Sequence, residues 1–123
     1  MSAAQPPTIL IVEDETLVRM LGVDILEEAG FVVKEAADAD EAIAFLDRHE
    51  DIHILFSDID MPGSMDGLEL ARLVHDRWPK IGLLLTSGHH RLGTAQLPGR
   101  GQFMSKPWAV DALLGKVRGL LAT

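Results

Sequence analysis

The chain has 123 residues, of which 47% are hydrophobic, and it carries a formal net charge of −8 at pH 7. This length is typical of a single domain, and the acidic balance disfavours direct binding to nucleic acid or anionic membranes, which relies on clustered basic residues. The chain has no cysteine, no secretion signal after Met1 and no apolar run near the ~20 residues of a membrane helix, so we expect a cytoplasmic protein with protein partners.

Short apolar runs alternate with segments of helical period, which predicts an α/β fold with a parallel sheet and helices on both faces. Residues 1–7, which end in Pro6-Pro7, are expected to form a flexible lead before one domain at residues 8–123. The apolar runs predict strands at about Thr8–Glu13, Phe31–Glu35, Ile52–Asp58, Ile81–Thr86 and Gln102–Ser105.

Segments of helical period follow most of these strands. They predict helices at about 16–29, 38–48, 67–78 and 110–121. In the first helix, Leu17, Leu21 and Ile25 are expected to face the core. In the second, Asp38 followed by Glu41 is a pair typical of a helix N-terminal cap.

The segment that separates the fourth strand from the fifth differs from the other connections. Between Gly88 and Phe103 it contains three glycines and a proline, which oppose a regular helix. We therefore expect a short or absent helix at this point of the fold.

Polar side chains follow the predicted strands at their carboxyl ends. Glu13 and Asp14 follow the first apolar run, Asp58 ends the third, Thr86 ends the fourth and Lys106 comes after the fifth. Because connections between parallel strands are right-handed, these ends lie along one edge of the sheet. Carboxylates brought close together repel unless a cation compensates them, and oxygen ligands suit Mg²⁺. Such a site predicts phosphoryl transfer to Asp58, with Thr86 and Lys106 binding the other phosphoryl oxygens.

The order of these motifs resembles the receiver domain of bacterial two-component response regulators. The resemblance covers nearly the whole chain and rests on Glu13-Asp14, Asp58-Ile59-Asp60-Met61-Pro62, Asp66-Gly67, Thr86-Ser87 and Lys106-Pro107-Trp108. It implies a flavodoxin-like, doubly wound sheet of five parallel strands in the order 2-1-3-4-5. It also implies a signalling domain rather than an enzyme, whose only chemistry is its own phosphorylation and dephosphorylation.

The resemblance further implies the partners of the chain. Asp58 would accept phosphate from a sensor histidine kinase or a histidine phosphotransfer protein. A downstream protein target would then bind the switched surface of a monomer or of a weak, phosphorylation-dependent homodimer.

The resemblance also implies which residues would bind the metal. Asp14 and Asp58 would bind Mg²⁺ through their side chains, and the backbone carbonyl of Asp60 would complete the protein ligands. Glu13 stands where an aspartate is commoner in the family, and it would act largely through bound water.

A second group of residues would respond to the phosphoryl group. By the same resemblance, Thr86 and Lys106 would sense it, and Phe103 occupies the place of the rotating switch aromatic. From its residue type alone, Phe103 is equally typical of a core aromatic. Trp108 either packs at the start of the last helix or marks a partner surface.

Three alternatives are compatible with the same residues. Asp58-Ile59-Asp60 after a buried strand resembles the signature of haloacid-dehalogenase-type phosphohydrolases, although Pro62 departs from that pattern. The chain is also compatible with the receiver portion of a hybrid histidine kinase. The third alternative is an interaction module that never takes phosphate.

Overall fold

The computed structural model describes residues 5–49, 51–88 and 97–122, and its centre is a parallel sheet. The sheet consists of β1 (Thr8–Val12), β2 (Val32–Ala36), β3 (Ile54–Asp58), β4 (Gly82–Ser87) and β5 (Gln102–Ser105). Its strands lie in the order β2-β1-β3-β4-β5, and every neighbouring pair is parallel. The predicted doubly wound topology is therefore confirmed.

The helices of the described ranges are α1 (Thr16–Glu28), α2 (Ala39–Arg48), α3 (Gly67–Arg77) and α4 (Val110–Leu121). α1 and α4 cover one face of the sheet, and α2 and α3 cover the other. The short or absent helix predicted after β4 falls on a segment whose residues 89–96 lie outside the described residues, as do residues 1–4 of the predicted lead. Among the helices described, none is both long and apolar enough to cross a lipid bilayer.

β1 and β3 occupy the middle of the sheet and are buried along their whole length. Successive side chains of a strand point to opposite faces, so Ile9 and Ile11 pack beneath α1 and α4, whereas Leu10 and Val12 pack beneath α2 and α3. A strand covered on both faces must be apolar at almost every position, which accounts for the unbroken apolar runs. In these two segments, charged side chains therefore occur only at the carboxyl ends of the strands and in the loops that follow them.

Several of the observed strand ends differ from the predicted ones by one or two residues, whereas β5 has the predicted bounds. β1 ends at Val12 rather than at Glu13, although the Glu13 amide still donates a hydrogen bond to the Ala36 carbonyl at 3.1 Å. β3 begins at Ile54 rather than at Ile52. Hydrogen-bond pairing between strands sets these ends, and the apolar pattern does not report it.

The predicted core face of α1 is wrong in part. Leu17 and Leu21 are 80% and 54% exposed, while Gly22 is buried against the sheet. The helix backbone approaches so closely that a Cβ atom at Gly22 would lie 2.5 Å from Cδ1 of Ile11. The periodic pattern of apolar side chains does not register a glycine, so the sequence could not reveal this close approach. The helix instead leaves Leu17, Met20 and Leu21 on its outer surface.

The predicted cap of α2 is confirmed, because the Asp38 side chain accepts a hydrogen bond from the Glu41 amide at 2.9 Å. Asp38→Ala removes this acceptor and should lower the free energy of unfolding by about 1 kcal/mol, measured by urea denaturation. Asp24→Ala, at an exposed position within α1, is the control and should cost less than about 0.5 kcal/mol. An Asp38→Ala protein as stable as the wild type would contradict the capping role.

Candidate functional site

Three carboxylates meet at the carboxyl edge of the sheet. Glu13 and Asp14 follow β1, and Asp58 is the last residue of β3. One oxygen from each residue lies within 4.8 Å of the oxygens from the other two. β1 and β3 are parallel neighbours with Val12 opposite Ser57, so both strands leave the sheet at the same level. Glu13 and Asp58 are buried there, while Asp14 is exposed to solvent.

Lys106 brings a positive charge to this acidic cluster. Its Nζ atom lies 2.6 Å from Oε1 of Glu13 and 3.2 Å from Oδ2 of Asp58. Its backbone amide donates to the Ser87 carbonyl at 3.0 Å, which holds Lys106 directly beyond the paired ends of β4 and β5. The lysine predicted from its place after the fifth strand therefore contacts two of the three predicted acids.

Burial acts to lower the pKa of the Lys106 ammonium group, but the hydrogen bond to Glu13 and the charges of Asp58 and Glu13 outweigh it. The pKa of Lys106 is consequently raised above its ordinary value. A raised lysine pKa stabilises the folded protein fully below the unfolded-state pKa, and this contribution is lost as pH rises through the folded-state pKa. The Lys106 ammonium group is thus charged at neutral pH.

The acids still carry more negative charge than one lysine neutralises. Although Asp14 is exposed, the neighbouring residues displace part of the water around its carboxylate. This partial desolvation, followed by the hydrogen bond with Glu13, raises the pKa of Asp14 above its ordinary value; the charge of Glu13 adds to the rise, and that of Lys106 opposes it. A divalent cation among these oxygens would relieve the remaining repulsion. Oxygen ligands are those that Mg²⁺ prefers, so the donor set fits this ion.

Glu13 is held in place from several sides. The Glu15 amide donates to its Oε2 atom at 3.1 Å, and the Arg19 guanidinium donates to its backbone carbonyl at 2.6 Å. Arg19 also forms an ion pair of 3.1 Å with Glu35 on β2. The sequence did not single out Arg19, because nothing in a helical segment marks one arginine as a contact of the preceding loop.

Backbone contacts position Asp58 and the loop after it. The Asp60 amide donates to Oδ1 of Asp58 at 3.2 Å, and the Ile59 amide donates to the Thr86 carbonyl at 2.9 Å. The Asp60 carboxylate accepts a hydrogen bond from the Ser87 hydroxyl. The role of the Asp60 backbone carbonyl as a metal ligand stays a prediction.

Gly67, at the start of α3, lies directly against the backbone of Asp58. A Cβ atom at this position would be 1.9 Å from the Asp58 carbonyl oxygen, and the Gly67 amide donates to the Ile59 carbonyl at 3.0 Å. α3 can begin here only because glycine has no side chain. The motif Asp66-Gly67 therefore combines a helix cap with a close approach, since the Asp66 side chain accepts from the Glu69 amide at 2.9 Å.

Thr86 and Phe103 lie on neighbouring strands but face opposite sides of the sheet. Thr86 pairs with Asp58 in the register of β3 and β4, and its hydroxyl oxygen accepts a hydrogen bond of 2.8 Å from the indole nitrogen of Trp108. Phe103 is half-buried and packs in the core cluster beneath α2 and α3. Trp108 packs in the core cluster beneath α1 and α4, which agrees with the first of its two predicted roles, packing at the start of the last helix. The contact between Trp108 and Thr86 was not predicted.

Comparison with known proteins assigns the chain to a family. The family model described as the response regulator receiver domain matches residues 9–118. The chain therefore belongs to the response regulator receiver domains of two-component signalling. Members of this family normally act as signalling domains that accept phosphate from histidine kinases.

Two curated relatives illustrate the match. Over 110 residues the chain is 36% identical to the nitrogen assimilation regulatory protein NtrX of Azorhizobium caulinodans, a match that covers 86% of this chain and 24% of the relative. Over 118 residues it is 36% identical to the sensor kinase CckA of Brucella abortus, covering 93% of this chain and 12% of the kinase. The chain thus spans a quarter or less of these relatives' length.

Solved structures agree with the fold. A response regulator receiver protein from Sinorhizobium medicae superposes with a TM-score of 0.88 at 27% identity, covering 97% of each chain. The response regulator TrrA from Thermotoga maritima, solved in complex with Mg²⁺-BeF, superposes with a TM-score of 0.81 at 25% identity, covering 93% of this chain and 98% of that one. Both likenesses extend over nearly the whole chain.

Gly67→Ala should force the start of α3 away from the Asp58 backbone and lower the free energy of unfolding by about 2 kcal/mol or more. Urea denaturation measures the change. Gly115→Ala is the matched control: this glycine lies within α4 with no atom within 4 Å of a Cβ, so alanine should be neutral or stabilise by up to about 1 kcal/mol. Equal stabilities of the two variants would contradict the close approach.

Proposed function

We propose that Asp58 is the phosphoacceptor of a Mg²⁺-dependent receiver, which takes a phosphoryl group from a phosphohistidine on a sensor histidine kinase or phosphotransfer protein. One observation carries the proposal. The Asp58 carboxylate is grouped with two further acids within 4.8 Å, and its Oδ2 atom lies 3.2 Å from the Lys106 ammonium group. A structural aspartate needs only a partner for its charge, whereas two extra acids beside it add repulsion that a bound cation would relieve.

The residues present fit a magnesium site. Asp14 and Asp58 would bind Mg²⁺ through their side chains, Glu13 largely through water, and Asp60 through its backbone carbonyl. When bound, the ion would neutralise charge on the phosphoryl oxygens during transfer. The complex of TrrA with Mg²⁺-BeF supports this assignment, because TrrA shares the fold over nearly the whole chain.

The chemistry of transfer is a substitution at phosphorus. A carboxylate oxygen of Asp58 attacks the phosphorus atom, the bond from phosphorus to the histidine nitrogen breaks, and the imidazole leaves with the electron pair and is protonated. Lys106, charged at neutral pH, remains beside the new acyl phosphate and binds one of its oxygens. Thr86, opposite Asp58 in the sheet, donates a hydrogen bond from its hydroxyl group to another oxygen.

The phosphorylated carboxylate gains about one unit of negative charge or more at a buried edge of the sheet. We propose that Thr86, Lys106 and Phe103 respond and switch a surface that a downstream protein binds. Water later hydrolyses the acyl phosphate and returns Asp58 to its carboxylate form. We place the protein in the cytoplasm as a monomer or as a weak, phosphorylation-dependent homodimer.

The exposed apolar surface of α1 supports docking of a protein phosphodonor. Leu17, Met20 and Leu21 are 80%, 52% and 54% exposed, and α1 begins two residues after Asp14. Spacings of three and four residues place these side chains on one side of the helix. A partner bound to this patch would hold its phosphohistidine near the acidic cluster.

A second candidate is the receiver portion of a hybrid histidine kinase. The identity of 36% with the sensor kinase CckA, of which the matched part is only 12%, favours it. The chemistry at Asp58 is the same in both settings. The length of the native protein, measured by immunoblotting of cell extracts, separates them.

Asp58→Asn should abolish phosphorylation, because the amide is a poor nucleophile at phosphorus. Mass spectrometry after treatment with acetyl phosphate and Mg²⁺ should find one added phosphoryl group on the wild type and none on the variant. Asp66→Asn, at the cap of α3, is the control and should still be labelled. Labelling of Asp58→Asn would overturn the assignment, and several turnovers on a generic phosphomonoester would favour a phosphohydrolase instead.

Leu17→Glu combined with Leu21→Glu should slow phosphotransfer from the kinase about tenfold or more, since a few apolar side chains dominate most interfaces. Labelling by acetyl phosphate should stay unchanged, because a small donor does not need the patch. Val32→Glu, an exposed valine at the opposite end of β2 from the acids, is the control and should leave both rates unchanged. An equal loss with acetyl phosphate would contradict docking and indicate damage to the site.

A further inference from the structure

The indole of Trp108 contacts the hydroxyl group of Thr86 on the face of the sheet that α1 and α4 cover. Its Nε1 atom donates a hydrogen bond of 2.8 Å to Oγ1 of Thr86, a residue that is 2% exposed. An indole N–H is a donor only, so it fixes the threonine oxygen as the acceptor. The distance lies in the normal range for such bonds. The hydroxyl oxygen of Thr86 is therefore directed to Trp108 in this structure.

Packing on both sides holds the indole ring in this orientation. The ring of Phe56 lies 5.1 Å from it, centroid to centroid, at an interplanar angle of 54°. On the side of α1, a Cβ atom at Gly22 would be only 3.2 Å from Cζ3 of Trp108. The indole thus fills a slot between the sheet and the helix that a glycine leaves open. A ring confined in this way presents its N–H in one direction.

Trp108 is also close in sequence to the lysine of the site. Lys106 binds Glu13 and Asp58, while Trp108, two residues later, binds Thr86. The short connection from β5 to α4 therefore contains one of the two groups proposed to bind phosphoryl oxygens, Lys106, and contacts the other, Thr86. A threonine hydroxyl has one rotatable bond to the backbone, so turning Oγ1 toward the Asp58 side changes its distance from Nε1.

We propose that the Trp108 indole N–H is a latch that holds the Thr86 hydroxyl away from Asp58 and is released when Thr86 binds a phosphoryl group. The inference rests on the proposed phosphorylation of Asp58. Trp108 acts through Thr86, and is therefore a positioning residue that biases the switch toward its resting state. Phenylalanine in its place would keep the ring packing but lose the N–H.

The experiment uses beryllofluoride with Mg²⁺ as the phosphoryl mimic and nuclear magnetic resonance of the indole N–H. The Trp78→Phe protein leaves Trp108 as the only indole, and Trp78 lies at the end of α3, outside the site. In the free protein, its N–H signal should exchange slowly with solvent, and Thr86→Val should shift that signal. Saturation with the mimic should shift the signal in the same direction as Thr86→Val and accelerate its exchange.

The affinity for beryllofluoride gives a second readout. Trp108→Phe should bind the mimic about fivefold more tightly than the wild type, which corresponds to about 1 kcal/mol for one hydrogen bond no longer broken. Trp78→Phe is the matched control and should bind as the wild type does. Thermal unfolding of both variants checks that they fold, and the resonance measurement keeps the native Trp108 in any case.

Each possible result either supports or overturns the proposed role of Trp108. An indole signal that stays unchanged at saturation, or a Trp108→Phe protein that binds the mimic no more tightly than the wild type, overturns it while leaving the proposed function intact. If neither the wild type nor Trp78→Phe binds the mimic, the proposed function fails and the latch fails with it. A released indole together with tighter binding by Trp108→Phe supports both.

Discussion

The ion pairs from Lys106 to Glu13 and Asp58 are the interaction on which the site depends. Two buried carboxylates so close together repel each other and lose hydration, and both effects oppose folding. The ammonium group offsets both effects, and it reaches the acids because β1, β3 and β5 end on the same edge of one sheet. The remaining negative charge at Asp14 is what suits this edge to a divalent cation.

Two glycines allow the helices to lie where the site needs them. Gly67 lets α3 begin against the Asp58 carbonyl, and Gly22 lets α1 approach the sheet closely enough to enclose Trp108. Because α1 packs on the sheet through the side that contains Gly22, Leu17 and Leu21 lie exposed on its outer side, near the three acids. Packing within the domain therefore creates both the enclosed position of Trp108 and the apolar patch proposed for the phosphodonor.

The two faces of the sheet give the candidate switch residues different surroundings. Phe103 packs with α2 and α3, whereas Thr86 contacts Trp108 on the side of α1 and α4. Movement of the Thr86 hydroxyl would thus be transmitted through the indole to the face of the sheet that α1 and α4 cover. The contact between Trp108 and Thr86 links the carboxyl edge of the sheet, where the three acids lie, to the connection between β5 and α4 that also contains Lys106.

The sequence by itself determined the five strands, to within one or two residues at their ends, and the cap at Asp38, because apolar runs and capping residues are local patterns along the chain. It also predicted which polar residues would gather, since parallel strands all end on one edge. Only the tertiary structure decided which face of α1 is buried, why residue 67 is glycine, and that Trp108 binds Thr86. Those features depend on distances between segments far apart in the chain, and a glycine or an indole N–H leaves no periodic signal of the neighbour it will contact.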